Sequence, residues 1–189
     1  MTHVILVGRM GSGKTTLANT LVDAYGFKRW PSMTTRPPRP GEVDGQDYFF
    51  VDDEQFDASK AYGYITGVRE YHTVHGVWRY GFPISPVPEH NTVSILDPKG
   101  LTEVHNRIPE LFPIFMDIDP EICRYRAMTR GDDPEEIDRR MKADDEDFYE
   151  FSQVYMDFCK LRIAQIRTPE DDADRVVRYI HKEVHHANR

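Results

Sequence analysis

"HVILVGRMGSGKTTLANTLVDAYG", residues 3 to 26, is the stretch that decides the fold. Its first six residues are mostly apolar and β-branched, as expected of a strand buried in a parallel sheet. Gly8-Arg9-Met10-Gly11-Ser12-Gly13-Lys14-Thr15 then fits G-x-x-x-x-G-K-[ST], and Leu17, Leu21 and Val22 recur at helical spacing up to a stopping Gly26. Glycines let backbone N–H groups turn inward around a phosphate, and a helix beginning beside them adds the positive end of its dipole. The pattern therefore predicts a site for an ATP-type triphosphate at Gly8, Gly11, Ser12, Gly13, Lys14, Thr15 and Thr16. Lys14 is expected to reach the β- and γ-phosphates, and the Thr15 hydroxyl to ligate Mg2+.

The rest of the chain fits one domain around that unit. Its 189 residues suit a single domain of roughly 100–200. With 39% hydrophobic and 30% charged residues it is neither disordered nor fibrous. A net charge of −8 argues against a general nucleic-acid coat, so an anionic ligand must be met by local clusters of cations. Cys123 and Cys159 are too few for a disulfide framework, no apolar run approaches the ~18 residues of a membrane span, and Met1-Thr2-His3 leads directly into a strand. A cytoplasmic protein with no nucleic-acid or membrane partner is expected, with monomer and homodimer both open.

Further strands are expected at residues 91–97 (NTVSILD), 111–119 (LFPIFMDID) and 162–166 (RIAQI). Asp97 ends the first of these where a doubly wound sheet presents side chains to a nucleotide, making it the candidate for the Mg2+ shell alongside Thr15. Asp119-Pro120 reads as N-cap and first residue of a helix, and Thr168-Pro169 opens an amphipathic one with Ala173, Val176, Val177, Ile180 and Val184 on one face. Residues 32–84, rich in Pro, Gly, Tyr and Phe, suggest a small antiparallel insert, the natural place for an acceptor site. Residues 124–141 set Arg124, Arg126, Arg130, Arg139 and Arg140 around a turn, as a closing lid would. The core is then 1–31, 85–123 and 142–189. His181, His185 and His186 read as a solvated helix end, and Asp144, Asp145, Glu146 and Asp147 as a solvated helix face. Trp30 and Trp78 read as packing at the base of the insert, and Arg9 and Met10 as variable loop positions without a role.

The chain resembles the guanylate kinases. The likeness is carried by the phosphate loop, by Ser32 to Phe50 (SMTTRPPRPGEVDGQDYFF), by Tyr80-Gly81, by Leu96-Asp97 and by the lid pattern Arg126 to Gly131. It implies an α/β fold in which a P-loop NTPase-type parallel sheet flanked by helices carries an antiparallel acceptor-binding insert and an arginine-rich helical lid. It implies that Arg36, Arg39, Tyr48 and Tyr80 hold the phosphate of a nucleoside monophosphate, with Glu42 and Asp47 orienting the arginines and loop. Guanidinium forks and phenols suit a multiply oxygenated dianion, and prolines restrict the loop in advance. The implied reaction is ATP-dependent phosphorylation of GMP or dGMP, with Lys14, Arg39, Arg126, Arg130 and Arg140 around the transferring group.

The base-reading positions depart from the family. Phe82 follows Tyr80-Gly81 where a serine or threonine is common, and LDPKG, residues 96–100, lacks a second aspartate. A glutamate expected in F-[IL]-E corresponds either to Thr66 or to Glu70. Ser32 and Glu70 are the base-binding candidates, and altered base selectivity is the first alternative. A phosphosugar kinase and a non-catalytic guanylate-kinase-like interaction module are the others. The complete stretch at residues 33–50 argues against the former, and intact Lys14, Thr15 and lid arginines against the latter.

Overall fold

A computed structural model describes residues 1–73, 76–108, 110–154, 159–164 and 168–187. Nine strands and six helices run in the order β1 (His3–Gly8), α1 (Lys14–Tyr25), β2 (Lys28–Arg29), β3 (Met33–Thr34), β4 (Phe49–Phe50), α2 (Asp53–Ala61), β5 (Ile65–Thr73), β6 (Gly76–Pro83), β7 (Thr92–Ile95), α3 (Pro98–His105), β8 (Leu111–Met116), α4 (Pro120–Thr129), α5 (Pro134–Val154), β9 (Leu161–Ile163) and α6 (Pro169–Ala187), counted among the described residues.

The main sheet is parallel, in the order β2-β7-β1-β8-β9. Every residue of β1 is buried because the sheet is covered on both faces, and the alternation of side chains divides the core. Val4 and Leu6 pack with Leu17 and Leu21 of α1 and Val176 and Ile180 of α6. Ile5 and Val7 pack on the other face with Leu101 and Val104 of α3 and Phe148 and Phe151 of α5. This is the α/β parallel-sheet fold with flanking helices expected of a P-loop NTPase. The central strand and the two strands beside it deliver their C-terminal ends to one edge of the sheet, where ligands of such folds bind.

Two of the expected strands are shorter than their apolar runs. β7 stops at Ile95 because Asp97 leaves the sheet to cap α3, with Pro98 at its first turn. β8 stops at Met116, and Asp119 caps α4 by accepting the Glu121 N–H at 2.8 Å. β9 covers Leu161–Ile163, while residues 165 and 166 of the expected strand, and the side chains of Val184, His185 and His186, lie outside the described residues.

Residues 33–83 carry a second sheet, β4-β3-β6-β5, in which β3 and β4 are parallel and the other pairs antiparallel. The helix α2 within it has a capping box, Asp52 with Gln55, whose D-x-x-Q spacing is its sequence signal. Between Thr66 and Arg69 the β5–β6 register shifts by one residue, a bulge with Gly67 at φ 61°. Trp30 packs against Phe82 with ring centroids 4.8 Å apart, so it sits where the insert joins the core.

Candidate active site

The phosphate loop runs from the end of β1 into α1. Gly13 is the helix N-cap in the left-handed region, φ 95°, and no side chain caps the first turn, so its amides are offered to an anion. Gly11, at φ 71°, lies so close to α4 that a Cβ would stand 2.3 Å from the Cys123 carbonyl oxygen. The Lys14 ammonium folds back to donate to the Gly8 and Arg9 carbonyl oxygens at 2.6 and 2.7 Å. Burial pulls its pKa down to about 8, against the opposing pull of the Asp144 carboxylate. Ser12 is fully buried with its hydroxyl unpartnered among the described residues, while Thr15 and Thr16 are exposed at the head of the helix.

The arginine cluster is built from α4, a tight turn and the start of α5. Arg126 reaches the phosphate loop, its Nη1 standing 3.5 Å from the Gly11 carbonyl oxygen. Arg130 grips Asp132 with two nitrogens, and that contact, despite some burial, holds the Asp132 carboxyl below its ordinary range. Arg139 and Arg140 share Glu136, whose pKa their hydrogen bonds lower to about 2. Arg124 pairs with Asp138 at 2.5 Å. The charges of Arg39, from the insert, and of Arg140 both bear on Asp132, so insert and lid arginines lie within electrostatic range of one carboxylate. Exposed ion pairs like these contribute about 0–1 kcal/mol each, so exchanging a carboxylate for a phosphate costs little.

In the insert, Arg36 is the buried cation, 3% exposed. It donates to Glu42 Oε1 at 2.7 Å and to the Pro37 carbonyl at 2.8 Å, and its guanidinium lies 5.2 Å from the Tyr48 ring centroid. Burial disfavours the charge, but hydrogen bonds to Glu42 and Tyr80 outweigh it and raise the Arg36 pKa. The other Glu42 oxygen accepts the Arg39 N–H at 2.7 Å, and Asp47 accepts the Val43 N–H at 2.9 Å, so both carboxylates shape the loop. Arg39 itself is exposed. Tyr48 packs edge-on to Tyr80, and Tyr71 does the same from the next strand, with centroids 5.8 and 5.4 Å apart.

The structure thus brings Arg36, Tyr48 and Tyr80 together, sets Lys14 and Arg126 both on the phosphate loop, and pairs Arg130 with Asp132, on which the charges of Arg39 and Arg140 also act. Thr15 is the second residue of α1, and Asp97, the N-cap of α3, is already engaged: one oxygen caps α3 through the Gly100 N–H and the other accepts the Tyr71 hydroxyl at 3.2 Å. Burial, with Asp97 beside it, pushes the Tyr71 pKa up. Ser32 lies beside β4, its carbonyl accepting the Phe49 N–H at 2.9 Å. Glu70 is half exposed, pairs with His72 at 3.2 Å, and stands opposite Arg79, on the face away from Tyr80. Phe82 is a core residue, 1% exposed.

Several contacts have no counterpart in the sequence reading. Tyr71 and Arg69 occupy the Tyr80 face of β5, where Arg69 pairs with Glu103 of α3 at 2.7 Å. Period-two counting back from Tyr80 across the hairpin is the one signal that would have found them. The acidic run is not simply a solvated face: Asp144 accepts the Met10 N–H, Asp145 pairs with Arg9, and Asp147 pairs with Lys99. Arg9 and Met10 correspondingly do have partners.

Comparison with known proteins adds the lineage. A family model described as guanylate kinase matches residues 1–155. A guanylate kinase from Leifsonia xyli is 37% identical over 154 residues, 74% of this chain and 57% of that protein. One from Lactobacillus johnsonii is 33% identical over 143 residues, 71% of this chain and 68% of that one. The crystal structure of guanylate kinase from Anaplasma phagocytophilum superposes with a TM-score of 0.67 at 25% identity, covering 96% of this chain and 85% of the other. The chain spans little more than half to about two thirds of the curated relatives it matches. With a family match over residues 1–155 and relatives 37% and 33% identical, the chain belongs to the guanylate kinase family.

Proposed function

We propose that this chain transfers the γ-phosphoryl group of ATP to a nucleoside monophosphate, foremost GMP, giving ADP and the nucleoside diphosphate. The observation that carries this reading is the pair of anion sites on one chain: Lys14 and Arg126 at the phosphate loop, and Arg36 with Tyr48 and Tyr80 on the insert. Residues 32–84 serve as the acceptor insert and 124–141 as the lid.

In the reaction, an oxygen of the acceptor phosphate attacks the γ-phosphorus while the bond to the bridging oxygen breaks, and that electron pair leaves with ADP. A phosphate monoester has its second pKa at about 6, so the attacking oxygen is anionic near neutral pH and needs no strong base. Arg36, Arg39, Tyr48 and Tyr80 hold the acceptor. Lys14 exchanges the Gly8 and Arg9 carbonyls for phosphate oxygens, while Arg126 leaves the Gly11 carbonyl, and Arg130 and Arg140 leave Asp132 and Glu136, for the developing charge. Closing insert and lid together keeps water from the γ-phosphate.

Mg2+ bound with ATP would neutralise charge on the phosphate oxygens. The donors suit it: hard oxygens at Thr15 and Asp97, the latter with lone pairs beyond its two hydrogen bonds. Among the described residues no group of three or more His, Cys, Asp or Glu could hold a metal ion by itself. Among the described residues no helix is long and apolar enough to cross a membrane. Cys123 and Cys159 are both free thiols, which supports a reducing, cytoplasmic setting.

A second reading, altered base selectivity, is favoured by the position of two residues: Phe82 is committed to the core, and Glu70 lies on the outer face with His72. Initial rates with ATP, Mg2+ and GMP, dGMP, AMP, UMP, CMP or dTMP test both. Preference for GMP and dGMP supports the main reading; inert GMP and dGMP with another base accepted replaces it with the second; no turnover with any of the six refutes the kinase assignment.

A further inference from the structure

Helix α5 reaches the phosphate loop with side chains that the proposed reaction does not use. The Asp144 carboxylate accepts the Met10 N–H at 2.7 Å, and Asp145 Oδ1 takes the Arg9 guanidinium at 2.5 Å. Arg9 also lies over the Phe148 ring, 5.4 Å from its centroid. The Met10 amide is therefore turned out toward α5 and not into the glycine cradle. Below these contacts α5 is anchored to the core: Phe148 and Phe151 pack against Phe115, and Asp147 pairs with Lys99 at 2.9 Å. Above them the same uninterrupted helix carries Arg139 and Arg140 of the lid. Four residues, about 6 Å along the helix axis, separate Arg140 from Asp144.

Asp144 is electrostatically ill placed for a site that takes a triphosphate, since its charge bears on Lys14 and opposes any polyanion there. A carboxylate in that position has to return something other than charge. Glycine-rich loops are conformationally loose, and amides that cradle phosphate contribute most when held in place beforehand. We propose that Asp144 and Asp145 are positioning residues, which fix the Arg9–Met10 half of the phosphate loop in its phosphate-receiving shape and tie that shape to the helix bearing the lid arginines. The inference rests on the phosphate loop being the ATP site.

Two neutral variants separate geometry from charge. Asp144→Asn and Asp144→Ala lose the same negative charge, but only asparagine keeps an oxygen to accept the Met10 N–H. Calorimetric titration of the full chain with ATP and Mg2+ reads binding without turnover. Asn is expected to bind ATP about tenfold more tightly than Ala, the value of one partly buried hydrogen bond. KM for the acceptor should agree within about twofold between the two, since distant sites add independently. Arg9→Gln and Asp145→Asn should each weaken ATP binding, and the double variant no further than the weaker single one. Equal ATP affinity in the Asn and Ala variants, or donor and acceptor constants deteriorating in step with melting temperature, overturns the proposal. A chain that binds ATP but phosphorylates no monophosphate would refute the proposed function and leave this comparison intact.

Discussion

Glu42 holds Arg36 and the Arg39 backbone at once, so its replacement tests the acceptor site most directly. Its Oε1 lies 2.7 Å from Arg36 Nη2, and the pair is 3% exposed on the arginine side and 20% on the glutamate side. Removing one member of a buried ion pair costs roughly 3–5 kcal/mol. The partial exposure of Glu42 reduces this to about 2–3 kcal/mol for Glu42→Ala. At about 2–4 °C per kcal/mol for a chain this size, the melting temperature should fall by about 4–12 °C. Glu42→Gln keeps the shape and one acceptor, so it should lose only about 1 kcal/mol. Because Arg36 loses its orientation, KM for the acceptor should rise about tenfold in the Ala variant while KM for ATP stays put. The pair also sets a pH dependence. Burial would raise the Glu42 pKa, but the hydrogen bonds from Arg36 and Arg39 prevail and lower it. A carboxyl depressed on folding contributes stability above its unfolded pKa and loses it as pH falls through the folded one, so the wild-type and Ala melting curves should converge on acidification. Scanning calorimetry at pH 7 and below, with steady-state kinetics in both substrates, decides the matter. A melting temperature within about 2 °C of wild type together with an unchanged acceptor KM would show that Glu42 supports neither fold nor site.

Lys14→Ala should abolish turnover, and with the native lysine, pulled down to about 8 by burial, kcat/KM for ATP should fall above about pH 8 as the ammonium is lost, while the kcat limb lies higher because bound phosphates retain the proton. A kcat/KM profile flat to about pH 9.5 contradicts this. Gly11→Ala forces a Cβ to 2.3 Å from the Cys123 carbonyl at φ 71°, so urea unfolding should report a loss beyond about 3 kcal/mol, against about 1 for Gly41→Ala, whose Cβ meets open space. Equal losses at the two positions would remove the close approach to α4 as the cause. Tyr71→Phe deletes the donor to Asp97 and should cost about 1 kcal/mol, seen as a melting temperature about 2–4 °C lower. An unaltered melting temperature would mean that water replaces the phenol freely.

The core was legible because burial on both faces writes itself as a continuous apolar run, as in His3–Gly8, and because a loop that wraps phosphate needs glycine where φ is positive. Strand ends were less legible. Hydrophobicity continues through Leu96, but the N-cap bond in which Asp97 accepts the Gly100 N–H takes the chain out of the sheet one residue earlier. Partners remote in sequence were not legible at all: nothing in an acidic run on α5 says that Asp144 meets a backbone amide 134 positions away. The facing of β5 was hard to read for a local reason. From Thr66, opposite Phe82, strict alternation would turn residue 70 toward Tyr80, but the bulge at Gly67 and Val68 reverses the phase, turning Glu70 outward and Tyr71 inward.

That one extra residue lets β5 differ in length from its partner strand without disturbing the pairs on either side. Deleting one residue between Thr66 and Arg69 would close the bulge and leave Thr66 opposite Phe82 and Arg69 opposite Tyr80, so Glu70 and Tyr71 would keep their present faces. The loss of a residue at this point is therefore absorbed by the strand pairing, and which face a side chain of β5 takes is set by its partner across the hairpin and not by counting along the strand.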